Sequence, residues 1–143
     1  MADVVDLLLA QHALVEDLFR ETLASTGTTR DERFAELVRV LAVHEAAEEA
    51  VVHPLAHSHI DSPALVDGRL EEEARATRMI TELVQMGTGA VGFDSALMDL
   101  RLAVLIHARH EERYEFTSLR HQVPAVELVE AAAALRTAEG TPV

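Results

Sequence analysis

His44 and Glu48 stand four residues apart, and so do His107 and Glu111. Each pair lies within the same pattern, H-x-x-x-E-E: His44-Glu45-Ala46-Ala47-Glu48-Glu49 and His107-Ala108-Arg109-His110-Glu111-Glu112. On an α-helix, residues four apart lie one above the other on a single face, so each imidazole sits beside a carboxylate. Apolar residues extend both stripes: Leu37, Val40, Leu41 and Val51 around the first pair, and Leu97, Leu100, Val104 and Tyr114 around the second. A carboxylate on an apolar face is costly to bury unless it is paired or bound to a cation. Two such pairs on two helices are what a buried dinuclear metal site requires. Imidazole and carboxylate donors without sulfur suit iron or manganese, and zinc is also compatible.

The elements that must position these groups follow from period and punctuation. A first helix is expected from about Asp3 to Ala24, carrying Val5, Leu8, His12, Val15 and Phe19 on one face. The turn cluster Ser25-Thr26-Gly27-Thr28 ends it. Thr29 with Glu32 reads as a capping box that opens the second helix. That helix holds Phe34, Leu37, Leu41, His44 and Glu48, with Pro54 in its final turns. His57 to Asp61 reads as a loop, and Ser62-Pro63 as an N-cap followed by a first-position proline.

The third helix is expected to pass through Leu70, Glu73, Ala76, Ile80 and Leu83 to about Met86. Gly87 to Gly92 breaks it, and the fourth helix runs from about Asp94 to Leu119. A short last helix follows Pro124, from Ala125 to about Ala138. No segment alternates as a strand does. The architecture expected is all-α: an up-down-up-down four-helix bundle over about residues 3–120 with a short C-terminal extra helix over about 125–138, forming one domain over residues 1–143. The two halves repeat approximately. Each gives a helix with one inward polar residue, His12 or Glu73, and then a helix with the H-x-x-x-E-E pattern.

Each inward residue also has a plain structural reading. A lone histidine such as His12 is more often a hydrogen-bonded core residue, and one H-x-x-x-E pair is usually a surface contact worth a few tenths of a kcal/mol. The joint pattern, on inner faces of alternate helices, favours a metal. Glu45, Glu49, His110 and Glu112 lie off the inward stripe and read as solvated, and His57, His59 and His121 read as surface residues. Nine residues past His44 is half a turn away on an ideal helix, which puts His53 outside the ligand set unless the backbone is distorted before Pro54.

Composition excludes several other classes. The chain has 143 residues, 49% of them apolar, yet no uncharged run approaches the roughly 18 residues of a membrane span. Its opening lacks the basic region of a secretory signal. Without cysteine there is no disulfide framework or thiolate metal site, which is compatible with a cytoplasmic location. A net charge of −13 and 3% aromatic residues argue against nucleic acid and anionic membrane as partners. The sequence names no protein partner.

The order and spacing of these residues resemble the hemerythrin-like (HHE) cation-binding family, whose pattern is H…H-x-x-x-E…H…H-x-x-x-E on four helices. The specific parts are Gln11-His12 with Phe19, His44 through Pro54, and His107 through Phe116. The Glu-x-x-His order of ferritin-like di-iron bundles is a poorer match. The resemblance implies two iron ions, oxo- or hydroxo-bridged, held by His12, His44, Glu48, His107 and Glu111, with Glu48 and Glu111 as the bridges. The family's third helix normally supplies a histidine; here Glu73 stands in that place. His53 replaces the aromatic residue that usually precedes the proline.

Three histidines and three carboxylates form a more anionic set than the histidine-rich centre of oxygen-carrying hemerythrins, which favours ferric iron over reversible O2 carriage. The function expected is a non-haem di-iron protein that binds or turns over O2, peroxide or a related small oxidant, with catalase-like or peroxidase-like activity an open question. Tyr114 is a candidate donor beside the site. The alternatives are a non-catalytic iron or oxygen sensor, and a metal-free helical scaffold.

Overall fold

The computed structural model describes residues 1–60 and 63–140, and side chains outside positions 63–66 in that second stretch. Helix α1 spans Val4–Ala24 and α2 spans Gly27–Ala47. A π turn, Glu48–Val52, leads without interruption into α3, His53–His59. Helix α4 covers Pro63–Met86 and α5 covers Phe93–His110. A second π turn, Glu111–Glu115, continues into α6, Phe116–Gln122, and α7 covers Ala125–Ala138. The second and fourth rods of the bundle are therefore each an α-helix, a π turn and a further α-helix in line. The result is the four-helix bundle with one added C-terminal helix.

Local chemistry explains most boundaries. Asp3 accepts from the Asp6 backbone N–H at 2.9 Å, and Asp6 reciprocates at 3.0 Å, a capping box that opens α1. Helix α2 departs from expectation. It starts at Gly27, and Thr26 caps it without a side-chain bond, so Thr29 and Glu32 are already inside the helix. Gly87 and Gly92 adopt φ values of 85° and 90°, the left-handed region that glycine enters without steric cost, and they bracket the turn between α4 and α5. The loop expected at His57 is helical through His59. Asp61 and the Ser62 cap lie outside the described residues.

Two apolar clusters form the core. One joins Val15, Leu18, Phe19, Phe34, Leu37, Leu41, Leu83, Phe93, Leu97 and Leu100. The other joins Val4, Val5, Leu8, Val52, Ala56, Phe116 and Leu119 to the inner face of α7, with Leu128, Ala132 and Leu135. Leu8 belongs to one cluster and Val15 to the other, so the level of Gln11 and His12 falls between them. The polar groups of the bundle gather at that level. Among the described residues, no helix is long and apolar enough to cross a membrane.

Candidate metal centre

Glu48, Glu73, Glu111 and Glu115 are all buried, and Glu111 and Glu115 have no exposed surface at all. Four carboxylates inside one small domain carry a large desolvation cost unless something compensates them. Histidines supply part of the compensation. His44 Nε2 lies 2.7 Å from Glu48 Oε1 along the helix. Glu111 Oε1 sits between two imidazoles, 3.3 Å from His12 Nε2 and 3.3 Å from His107 Nε2. Glu73 Oε1 lies 3.4 Å from His107 Nε2. All six residues expected from sequence, His12, His44, Glu48, Glu73, His107 and Glu111, thus meet at one level of the bundle.

The imidazoles are oriented by partners on their far nitrogens. His44 Nδ1 donates to Gln11 Oε1 at 2.5 Å, His107 Nδ1 to Glu72 Oε1 at 3.1 Å, and His12 Nδ1 to Glu112 Oε2 at 2.8 Å. Holding Nδ1 in this way turns Nε2 inward and fixes the tautomer, the arrangement that metal-binding histidines use. Gln11 and Glu72 each precede an inward residue, so the half-repeat extends to these supports. Glu72 also accepts from His110 Nδ1 at 2.6 Å. Glu112 and His110, expected on a solvated face, therefore belong to the surroundings of the site. The expectation failed because a residue off the inward stripe can still reach a neighbouring helix.

The two π turns bring in residues that a regular helix would turn away. Each π turn spends five residues where an α turn spends about four, so whatever follows is turned back by about one residue step, roughly 100°. The His53 N–H bonds to the Glu48 carbonyl, and the Phe116 N–H to the Glu111 carbonyl. His53 consequently faces inward, its Nε2 3.1 Å from Glu73 Oε1 and 3.7 Å from Glu48 Oε2. Pro54 forces a break in α register because it lacks an N–H and clashes with the preceding turn. The second π turn has no proline behind it, which leaves the polar layer as the feature both turns share. In that second turn Glu115 and Phe116 point inward and Tyr114 points out, 45% exposed. Tyr114 is not a donor beside the site. Phe116 instead stacks on His12, with ring centroids 5.7 Å apart and planes 19° apart.

Glu115 is the residue that sequence analysis missed. It stands four residues past Glu111, on the same stripe of an α-helix as His107 and Glu111. It stays inward through the π turn, while the one-residue lag brings Phe116 in beside it. The signal available was that spacing: Glu115 extends the His107–Glu111 stripe by one more turn.

Electrostatics divides the carboxylates. Burial pushes Glu48 up, but the charge and proximity of His44 hold it well below the usual range. Burial and the negative Glu48 push Glu111 well above that range. Burial, with Glu48 next, pushes Glu115 up to about 7. His107 is raised: burial works against its charge, and Glu73 and Glu48 outweigh it. His12 is lowered by burial and by the neighbouring His44.

Both oxygens of Glu48, Glu111 and Glu115 lack a hydrogen-bond partner despite full burial. Orphaned carboxylate oxygens facing inward-turned Nε2 atoms are the donor set of a cation site. His12, His44, Glu48 and Glu111 each offer a ligand atom within 4.8 Å of the others, and so do Glu48, Glu73, His107 and Glu111. The two groups share Glu48 and Glu111.

Comparison with known proteins agrees with this geometry. A DNA nickase from Nostoc sp. (strain PCC 7120) is 26% identical over 125 residues, covering 85% of this chain and 34% of that protein. The chain therefore spans about a third of the length of this curated relative. The crystal structure of a hemerythrin HHE cation binding domain-containing protein from Mycobacterium kansasii matches with a TM-score of 0.86 at 18% identity, covering 98% of this chain and 89% of that one. At that identity the likeness establishes a common fold. The hemerythrin HHE cation binding domain itself matches residues 3–119. With that match spanning most of its length, the chain belongs to the hemerythrin HHE cation-binding family.

Proposed function

We propose that the chain holds two iron ions and that the loaded centre binds or turns over O2, peroxide or a related small oxidant. The observation that carries this reading is the pair of four-residue groups sharing Glu48 and Glu111. A shared carboxylate with two free oxygens can serve two ions at once, and both shared residues are buried with their oxygens unpartnered. His12 and His44 would serve one ion and His107 and Glu73 the other. Nitrogen and oxygen donors without sulfur fit iron. When bound, the iron pair would supply redox and Lewis-acid chemistry.

The chain's own contribution is orientation and partial exclusion of water. Gln11, Glu72 and Glu112 fix the imidazoles through Nδ1. Phe116 covers His12 from one side, and an apolar cluster flanks the layer on each side. His53 donates to Glu73 Oε1 and restrains that carboxylate without adding charge to the cluster when neutral. A rigid, preorganised donor set is what makes metal chemistry selective.

Reconstitution with Fe(II) under anaerobic conditions, followed by metal analysis and exposure to O2 or hydrogen peroxide, tests the reading. The expected result is about two irons per chain and an oxygen-to-iron charge-transfer band that appears on oxidation. Binding of one ion, or of zinc in preference to iron, would overturn the di-iron reading.

A further inference from the structure

On the side of the polar layer away from α7, the bundle holds a partly open cavity of about 340 Å³. The paired helices α1 and α2, and α4 and α5, pack closely. Between the pairs small side chains, Ala13, Ala76 and Ala108, leave space. The floor is the cluster itself, with His44, Glu48, Glu73 and His107 reaching the cavity, and the walls are apolar, with Val15, Leu41, Ile80 and Val104.

Size decides what the cavity is for. A water molecule's share of liquid volume is about 30 Å³, and a diatomic or peroxide molecule needs little more. The cavity is roughly ten times that, at the lower end of the range of about 300–1,000 Å³ found for small organic ligands. Charge narrows the class. Glu16, Glu45 and Glu112 line the cavity alongside Arg109, and the Glu16 carboxylate is already paired with Arg101. In the metal-free protein the carboxylates at the rim and on the floor repel an anion, so a fatty acid is a poor fit there. An apolar wall leading to oxygen- and nitrogen-lined ground suits a molecule with one apolar end and one uncharged oxygen end.

We propose that this cavity binds an uncharged organic molecule, an alkyl chain ending in a hydroxyl or hydroperoxyl group. The chain lies among Val15, Leu41, Ile80 and Val104, and the oxygen end faces His44 and His107. The assignment deepens the proposed function by naming the class of small oxidant, or its alcohol product, that the site admits, and it rests on that reading only for the chemistry at the oxygen end.

Calorimetric titration of the metal-free and iron-loaded protein with ethanol, 1-butanol, 1-hexanol and 1-octanol tests it. Burial of each methylene is worth about a fourfold gain in affinity, so affinity should climb by about that factor per carbon until the cavity is full. In the metal-free protein octanoate should bind at least tenfold more weakly than 1-octanol. Ala76→Phe and Val104→Phe fill the cavity from two different helices. Each should abolish 1-octanol binding while far-UV circular dichroism and iron content stay as in the parent, and one correctly folded variant is sufficient. Affinity independent of chain length, stronger binding of octanoate than of 1-octanol to the metal-free protein, or unchanged 1-octanol binding in a folded variant would overturn the proposal. Chain-length dependence in a protein that takes up no iron would leave the cavity assignment standing and remove the di-iron reading. Iron uptake without it would do the reverse.

Discussion

His53 Nε2 lies 3.1 Å from Glu73 Oε1, joining the residue just past the first π turn to the inward carboxylate of α4. Both are buried. In the other half of the repeat the equivalent pair is Phe116 and His12, stacked ring on ring. One half thus carries its polar partner on the third helix and the other on the first, and the two candidate metal positions differ in charge. His12 and His44 face one of them, and His107 with Glu73 faces the other.

Replacing His53 tests the reach of this pairing. His53→Ala removes a donor from a buried carboxylate, a change that costs about 1–3 kcal/mol. The variant should unfold at lower denaturant concentration and hold iron less tightly, and His53→Gln should recover much of both. Urea melts and competition with a chelator give the two readouts. Parental behaviour of His53→Ala in both would show that the contact has no structural or binding role.

His44 and His107 stand at the centres of the two groups. His44→Ala or His107→Ala is expected to cut bound iron to about one ion or fewer per chain, because each removes an inward Nε2 that nothing nearby replaces. Helix content should persist, since the two apolar clusters are untouched. Full iron occupancy with an unchanged absorption spectrum in both variants would remove these residues from the site.

Glu73 carries the departure from the family pattern. Glu73→His exchanges an anionic oxygen donor for a neutral nitrogen donor, which destabilises Fe(III) relative to Fe(II). The expected outcome is retention of two irons with a higher reduction potential. Glu73→Ala should weaken retention of one iron. Spectroelectrochemistry and metal analysis separate these outcomes from a purely structural role, in which iron content and potential would both stay put.

Acidity should act in opposite directions on the metal-free and loaded protein. Burial pushes Glu115 up to about 7 and raises Glu111 as well, against about 4.3 for glutamate in an unfolded chain. The folded state then keeps protons that the unfolded chain has released, so stability rises as pH falls through that window. His44, His53 and His107 are also raised, by carboxylate neighbours that outweigh burial. Their contribution is complete below about 6.5 and is lost as pH climbs through their folded values. His12 is lowered and opposes the trend as a single group. Glu48, held low beside His44, withdraws stability only in stronger acid. Metal-free protein should therefore melt at a higher temperature at about pH 5.5 than at about pH 8. Metal binding releases protons, so the loaded protein should lose its ions, and its added stability, at the lower pH. A metal-free melting temperature that rises toward pH 8 would contradict this balance.

The bundle was legible in the sequence because its signals are periodic. The 3, 4 and 7 spacings of Val5, Leu8, His12, Val15 and Phe19, and the glycines between Met86 and Phe93, carry four helices and their breaks. The six inward residues share that period, and the structure brings them together. Most of what escaped departs from the period. His53 and Tyr114 were each assigned by an α-helical angle that the π turns cancel, and no residue type announces a π turn as glycine announces a bend. Glu115, four residues past Glu111, lay on the legible stripe and was passed over. Glu72 and Glu112 escaped for another reason: helix-face arguments place a side chain on its own helix and say nothing of which neighbour it can reach.

The π turns also bear on which insertions and deletions the chain can absorb. Removing one residue from a regular helix rotates everything beyond it by about 100° and shortens the rod by about 1.5 Å. Ala50 and Arg113 are exposed and sit within the two π turns. Deleting Arg113 would convert five residues per turn to four and leave Phe116 on its present face, one α turn beyond Glu111, whereas deleting Ala50 would impose the α register that Pro54 opposes. The second π turn is thus a place in the bundle where the gene can lose a codon and the buried residues keep their neighbours.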